Sequence, residues 1–166
     1  MIRIKDRVLY LFGRTISFEN SKALMRFLSE AKQKENKPKE IVIDTCELTD
    51  EGLEQILLGA ANQIKHKSSQ GRTVTKQYLH SLVVSNSCFG PRSLSSLRAL
   101  GEDILELKLN NIRPTQGFSH SLLTELLYDL SKSYPFLFKL SITNINLSNE
   151  SVVEAIQGLI KTKQRL

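Results

Sequence analysis

Residues 41–57 read IVIDTCELTDEGLEQIL, and two periodicities meet inside them. Ile41 and Ile43 alternate with Val42 and Asp44, the period of two of a strand with one buried face. Leu53, Ile56, Leu57, Ala60, Ala61 and Ile64 then recur at spacings of three and four, which gathers them on one side of a helix. Between the two runs, Thr49 or Asp50 can accept hydrogen bonds from the N–H groups that a first helical turn leaves unpaired. The unit is a short strand, a turn holding Cys46 and Leu48, and a helix.

The same unit recurs along the chain. Pro38, Ile41, Ile43, Cys46 and Leu48 define five positions, which are matched by Leu79, Leu82, Val84, Ser87, Phe89 and by Ile104, Leu107, Leu109, Ile112, Pro114. Leu137, Leu140, Ile142, Ile145, Leu147 repeat them again, and Asp6, Leu9, Leu11, Arg14, Ile16 form a weaker first copy. Twenty of these twenty-five positions are apolar, where a 40% apolar composition would supply ten, so the repetition is not a product of composition. A helical stripe follows each copy: Ala23, Leu24, Phe27, Leu28 and Ala31 after the first, Leu94, Leu97 and Leu100 behind Pro91 after the third. Leu122, Leu123, Leu126, Leu127, Leu130 and then Val152, Val153, Ile156, Leu159, Ile160 complete the set. Equivalent positions Leu9, Ile41, Leu82, Leu107 and Leu140 stand 32, 41, 25 and 33 residues apart, spacings that suit a strand-plus-helix solenoid. The longest interval holds residues 65–77, KHKSSQGRTVTKQ, polar and glycine-containing, which read as an inserted surface loop.

With its Cys46 and the following Leu-Thr-Asp-x-Gly, the 41–57 segment resembles the repeat unit of the leucine-rich repeat family, of the ribonuclease-inhibitor-like type. The resemblance implies an α/β fold, a short horseshoe-shaped leucine-rich repeat solenoid of about five strand–helix repeats. A parallel sheet would line its concave face and helices its convex face. One domain over 1–166 is expected, with repeats near 1–36, 37–64, 78–101, 102–133 and 134–166 and the insertion at 65–77. The family's buried cysteine or asparagine column falls on Cys46, and elsewhere on Arg14, Ser87, Ile112 and Ile145. No polar capping segment precedes the first strand pattern, so the ends are expected to be covered by a partner or to continue into a larger protein.

Composition narrows the function. The 166 residues carry 23 Lys and Arg against 17 Asp and Glu, a formal net charge of +6. No apolar run approaches the roughly 18 residues that a membrane helix needs. The apolar stretch Val8 to Phe12 near the start is too short for a secretory signal, and two cysteines, Cys46 and Cys88, do not make a disulfide framework. His66, His80 and His120 lack a second ligand at metal-binding spacing, and no phosphate-binding glycine loop or nucleophile motif occurs. Neighbouring carboxylates, Asp44 with Glu47 and Glu102 with Asp103, have no nucleophile or base converging on them. No cofactor, no metal and no enzyme are expected.

Binding residues are read from the alternation. Residues between the strand leucines face away from the core, giving three columns: Val8, Glu40, Ser81, Glu106, Lys139; then Tyr10, Val42, Val83, Lys108, Ser141; then Phe12, Asp44, Ser85, Asn110, Thr143. The candidate partner-binding residues are Val8, Tyr10, Phe12, Val42, Asp44, Val83, Ser85, Lys108 and Asn110, with apolar character concentrated at the amino-terminal end. If the first copy were not a true repeat, Tyr10 and Phe12 would belong to the core instead. A second candidate surface is electrostatic: Lys65, Lys67, Arg72 and Lys76 in the insertion, where residues 63–77 hold no acid, and Lys161, Lys163 and Arg165 at the carboxy terminus. It would suit an acidic protein surface. Nucleic acid is the less favoured partner, because no aromatic platform is interleaved with these basic residues.

The expectation is therefore a non-catalytic protein–protein interaction scaffold, intracellular and cytoplasmic, a subunit of a multi-subunit complex in a ciliary axoneme or an organelle. The alternative is a basic protein associated with nucleic acid or ribonucleoprotein.

Overall fold

The structure is a computed structural model. It describes residues 2–13, 15–30, 37–44, 47–62, 65–67, 73–75, 79–100, 104–115, 137–144 and 157. Cys46, Arg14, Ile145, His120 and the expected helix over 122–130 lie outside these, as does the expected helix near 152–160 except for Gln157, which is helical and exposed.

Six strands form one open sheet: β1 (Ile2–Lys5), β2 (Val8–Phe12), β3 (Glu40–Asp44), β6 (Ser81–Ser85), β8 (Glu106–Asn110) and β10 (Lys139–Thr143), in that spatial order. From β2 to β10 every pairing is parallel, and the register is constant: Leu9, Ile41, Leu82, Leu107 and Leu140 are successive neighbours. Three described helices, α1 (Phe18–Glu30), α2 (Asp50–Asn62) and α3 (Pro91–Ala99), follow β2, β3 and a two-residue strand β7 (Cys88–Phe89). β7 pairs in parallel with β9 (Arg113–Pro114), just beyond the end of β8.

Alternation decides which side is buried. Leu9, Leu11, Ile41, Ile43, Leu82, Val84, Leu107 and Leu109 are wholly buried, and they share one core with Leu24, Leu28, Leu53, Ile56, Leu57, Leu94 and Leu97 of the helices. Each such side chain contributes about 1.5–3 kcal/mol relative to exposure. The intervening strand residues are only half-buried, so one face of the sheet is packed and the other is open.

The junctions between parallel strands are built alike. The carbonyl one residue before each strand accepts two N–H groups from the next: Arg7 O from Lys39 and Glu40, Lys39 O from His80 and Ser81, His80 O from Leu105 and Glu106, Leu105 O from Phe138 and Lys139. At the opposite strand ends, Gly13, Asn86, Asn111 and Asn144 follow β2, β6, β8 and β10 with φ of 59°, 53°, 49° and 51°. Asparagine tolerates that left-handed turn better than most other side chains.

Several local expectations are revised. The chain does not open on β2: β1 pairs antiparallel with it, Ile4 opposite Leu9, through Asp6 and Arg7, both at positive φ. An extra strand thus covers the edge that was expected to be bare; Asp6 suits the first position of such a turn, but Arg7 stands where a two-residue hairpin ordinarily has glycine. The insertion is not wholly irregular, since β4 (Lys65–Lys67) and β5 (Thr73–Thr75) pair antiparallel. Thr49 caps α2 through Gly52 N–H at 3.1 Å, but Asp50 caps the next helix instead. Its carboxylate accepts from Gly90 N at 2.9 Å, Arg92 N at 3.2 Å, Ser93 N at 3.0 Å and the Ser93 hydroxyl. A Cβ at Gly90 would stand 2.0 Å from Thr115 Oγ1 and 2.6 Å from Asp50 Oδ2, so any larger residue there would displace the cap. Phe27, assigned to the buried stripe of α1, is 45% exposed.

Candidate functional site

The open face carries the columns in register. Val8, Glu40, Ser81, Glu106 and Lys139 are successive backbone neighbours, as are Tyr10, Val42, Val83, Lys108, Ser141 and Phe12, Asp44, Ser85, Asn110, Thr143. All nine candidate partner-binding residues therefore stand on one surface. Ser87 and Ile112 of the turn column are buried, Ser87 with its hydroxyl donating to Ser85 O at 3.0 Å.

At the amino-terminal end the face is aromatic. Tyr10 and Phe12 stack, with ring centroids 5.5 Å apart and planes at 20°. Phe12 is 38% exposed and Tyr10 half-buried, whereas Leu9 and Leu11 between and beside them are wholly buried. The two rings are thus on the surface side of a genuine sheet strand and not in the core. Beside them Val8, Val42 and Val83 are half-buried, so the apolar surface extends across β2, β3 and β6.

Toward the carboxy-terminal end the face is polar and internally tied. Glu106 Oε2 lies 3.5 Å from Lys108 Nζ and 3.6 Å from Lys139 Nζ. Thr143 Oγ1 donates to Asn110 Oδ1 at 2.8 Å, and Asn110 Nδ2 makes a long contact of 3.5 Å to Ser85 Oγ. A parallel ladder runs along the strand ends: Asn111 donates to Asn86, and Asn86 Nδ2 to Asp44 Oδ1 at 2.7 Å. Glu47, considered with Asp44 from the sequence, accepts from Thr15 Oγ1 at 2.8 Å. The ladder residues Asn86 and Asn111 and the clamp residue Glu106 are outside the sequence-chosen set. Their signal was an asparagine immediately after a strand and a carboxylate two residues before a lysine on one strand face.

The second candidate surface is only partly described. Lys65 and Lys67 lie on β4 by their backbone, while Arg72, Lys76, Lys161, Lys163 and Arg165 fall outside the described residues. His80 is exposed at the start of β6 and Cys88 is half-exposed. Among the described residues no group of three His, Cys, Asp or Glu side chains could hold a metal ion, and no helix is long and apolar enough to cross a membrane. Compared with known proteins, the chain matches no family model and no curated relative.

Proposed function

We propose that this chain is a non-catalytic protein-binding scaffold of the leucine-rich repeat type, whose open sheet face holds a partner within a multi-subunit assembly. The parallel strands in constant register, the bifurcated junctions built alike between them and the left-handed residues after β2, β6, β8 and β10 support a repeated strand–turn–helix unit. Five such units in a short solenoid would account for the periodicity of the whole sequence. The observation that carries the functional reading is the Tyr10–Phe12 stack, an aromatic pair held on the surface beside Val8 and Val42. Aromatic side chains fixed in one geometry lose little entropy on binding and anchor interfaces, and a contiguous apolar surface of this kind marks a contact site. An intracellular assembly, in the cytoplasm or in a ciliary axoneme, is the setting this reading favours.

The test is affinity capture of the tagged full chain from its native extract at low and high salt, alongside the Tyr10→Ala/Phe12→Ala double variant. The reading expects a defined protein set retained at high salt and lost with the double variant. Replacement of Lys65, Lys67, Arg72 and Lys76 by Gln should leave that set intact. RNA or acidic proteins held only at low salt, and lost with the four-residue Gln variant, would overturn it in favour of a polyanion-binding protein.

A further inference from the structure

We infer that the outer edge of β1 receives an extended segment of a partner protein, antiparallel to β1, whose residues alternate between apolar and acidic. This surface is the rim of the sheet and not its open face, so the inference does not rest on the open-face reading. β1 ends the spatial order of the sheet, and among the described residues no strand pairs with its outer side. Arg7 O bonds to Lys39 N on the β3 side of β2, so Val8 N–H, in the same planar peptide unit, points the other way, toward β1. By the alternation of a strand, Val8 and Tyr10 bond to β1, and their opposites Lys5 and Arg3 are its inward-bonded residues. The two-residue turn closed by Lys5 and Val8 requires the same pattern. Ile2 and Ile4 therefore aim their N–H and C=O groups away from the sheet. A strand can exchange a pair of bonds with each of them, whereas a helix has its own backbone groups already paired.

The side chains choose the sequence of that strand. Ile4, opposite Leu9, holds the core side of β1, yet it is 44% exposed while Leu9 is wholly buried. The helical layer ends in the same way. Met25 of α1 packs on Gly59 of α2, and Phe27, about 200° further round the helix, faces away from α2 and is exposed with Ala23. The core side of the rim thus calls for apolar residues. On the open side Lys5 stands opposite Val8 and Arg3 opposite Tyr10. Lys5 is exposed and makes no ion pair among the described residues. Behind it come Val8 and then Glu40, two strand spacings or about 9.6 Å away, and behind Arg3 come Tyr10 and Val42. Asp6 sits in the turn, past the end of the strand. The strand itself, IRIK, holds two cationic residues and no acid. A second copy of the chain pairing through Ile4 would set Arg3 against Arg3 or against Lys5, and like charges directly opposite are destabilising. The cations that blunt this edge toward other copies select acids in a partner strand.

Three labelled peptides of about six residues test this on the full chain: valine alternating with glutamate, valine alternating with lysine, and the glutamate peptide scrambled. Anisotropy gives affinity, and amide hydrogen exchange read by NMR gives the place. The alternating glutamate peptide should bind at least about fivefold more tightly than either of the others. At saturation it should slow exchange at Ile2 and Ile4, whose amides are fast in the free chain, by about tenfold or more. Arg3→Glu/Lys5→Glu should pass the preference to the lysine peptide. Ile4→Pro removes only an outward N–H and should abolish binding, both variants keeping the circular dichroism of the parent. Equal affinity for the glutamate and lysine peptides overturns the acidic assignment. Binding without slowing at Ile2 and Ile4, or no binding, overturns the edge assignment. Slow exchange at Ile4 without peptide, where sedimentation shows a dimer, gives the edge to a second copy and overturns the partner strand. The open-face reading is judged separately, by the Tyr10→Ala/Phe12→Ala capture experiment.

Discussion

Strands β2 and β10 are equally long and sit in the same parallel ladder, each in register with its neighbour. Their side chains are nevertheless treated differently. Leu9 and Leu11 are wholly buried, while Leu140 and Ile142 are only partly buried against the same core. On the open side β2 shows Val8, Tyr10 and Phe12, and β10 shows Lys139, Ser141 and Thr143. The backbone ladder is indifferent to this contrast, because its hydrogen bonds involve no side chains. Packing constrains only the core side of each strand. The open side is left free to differ from repeat to repeat, and there the aromatic end and the ion-paired end part company.

The contrast can be broken or sharpened by substitution. The largest effect belongs to the core: Leu11→Ala should cost about 2–5 kcal/mol in denaturant unfolding, and Ile142→Ala less than half of that, because Ile142 already meets solvent. Equal losses would mean that the two ends are packed alike. Next comes the cap between successive helices. Asp50→Ala removes four hydrogen bonds from the start of α3 and should cost about 1–2 kcal/mol, with hydrogen exchange accelerating at Gly90, Arg92 and Ser93 before other amides. Uniform acceleration throughout the chain would show that the cap has no local role.

On the open face the stability effects are smaller and the binding effects diverge. Lys108→Ala removes a partly exposed ion pair with Glu106 and should change stability by less than about 0.5 kcal/mol. It should also leave the partner set of the scaffold test in place, whereas Tyr10→Ala/Phe12→Ala removes it. If Lys108→Ala abolished capture as well, the polar end would share in the contact. The smallest effect is a pH slope. Burial holds the Lys37 ammonium below its ordinary value of 10.5. Between the lowered value and 10.5 the unfolded chain then binds more protons than the folded one, and stability rises with pH through that window. Lys37→Met should flatten the rise, as read by thermal unfolding at a series of alkaline pH values.

The strand residues and their columns were legible in the sequence, because a period of two fixes which face each residue takes, and the repeated spacing aligns one strand with the next. Leu9, Ile41, Leu82, Leu107 and Leu140 could be lined up without a structure for that reason. What escaped reading lies between residues distant in the chain. Asp50 reads locally as a cap for its own helix, yet its carboxylate serves a helix starting some forty residues later. Glu106 reads only as one member of an open-face column, and the placement of β10 beside β8 brings Lys139 to it. Asp6 and Arg7 form a hairpin turn with arginine in the place of the usual glycine, and pairing of β1 along β2 holds Arg7 at its positive φ.

By itself, then, the sequence determined the strand-and-helix unit, the strand residues that enter the core and the three columns of the open face. Each follows from periodicity, a property of neighbours in the chain. The tertiary structure decided which side chains of the open face meet one another: Lys108 and Lys139 are held by Glu106, while Tyr10 and Phe12 stack on each other at the surface. That division depends on distances between strands that are far apart in sequence, and only the folded sheet sets those distances.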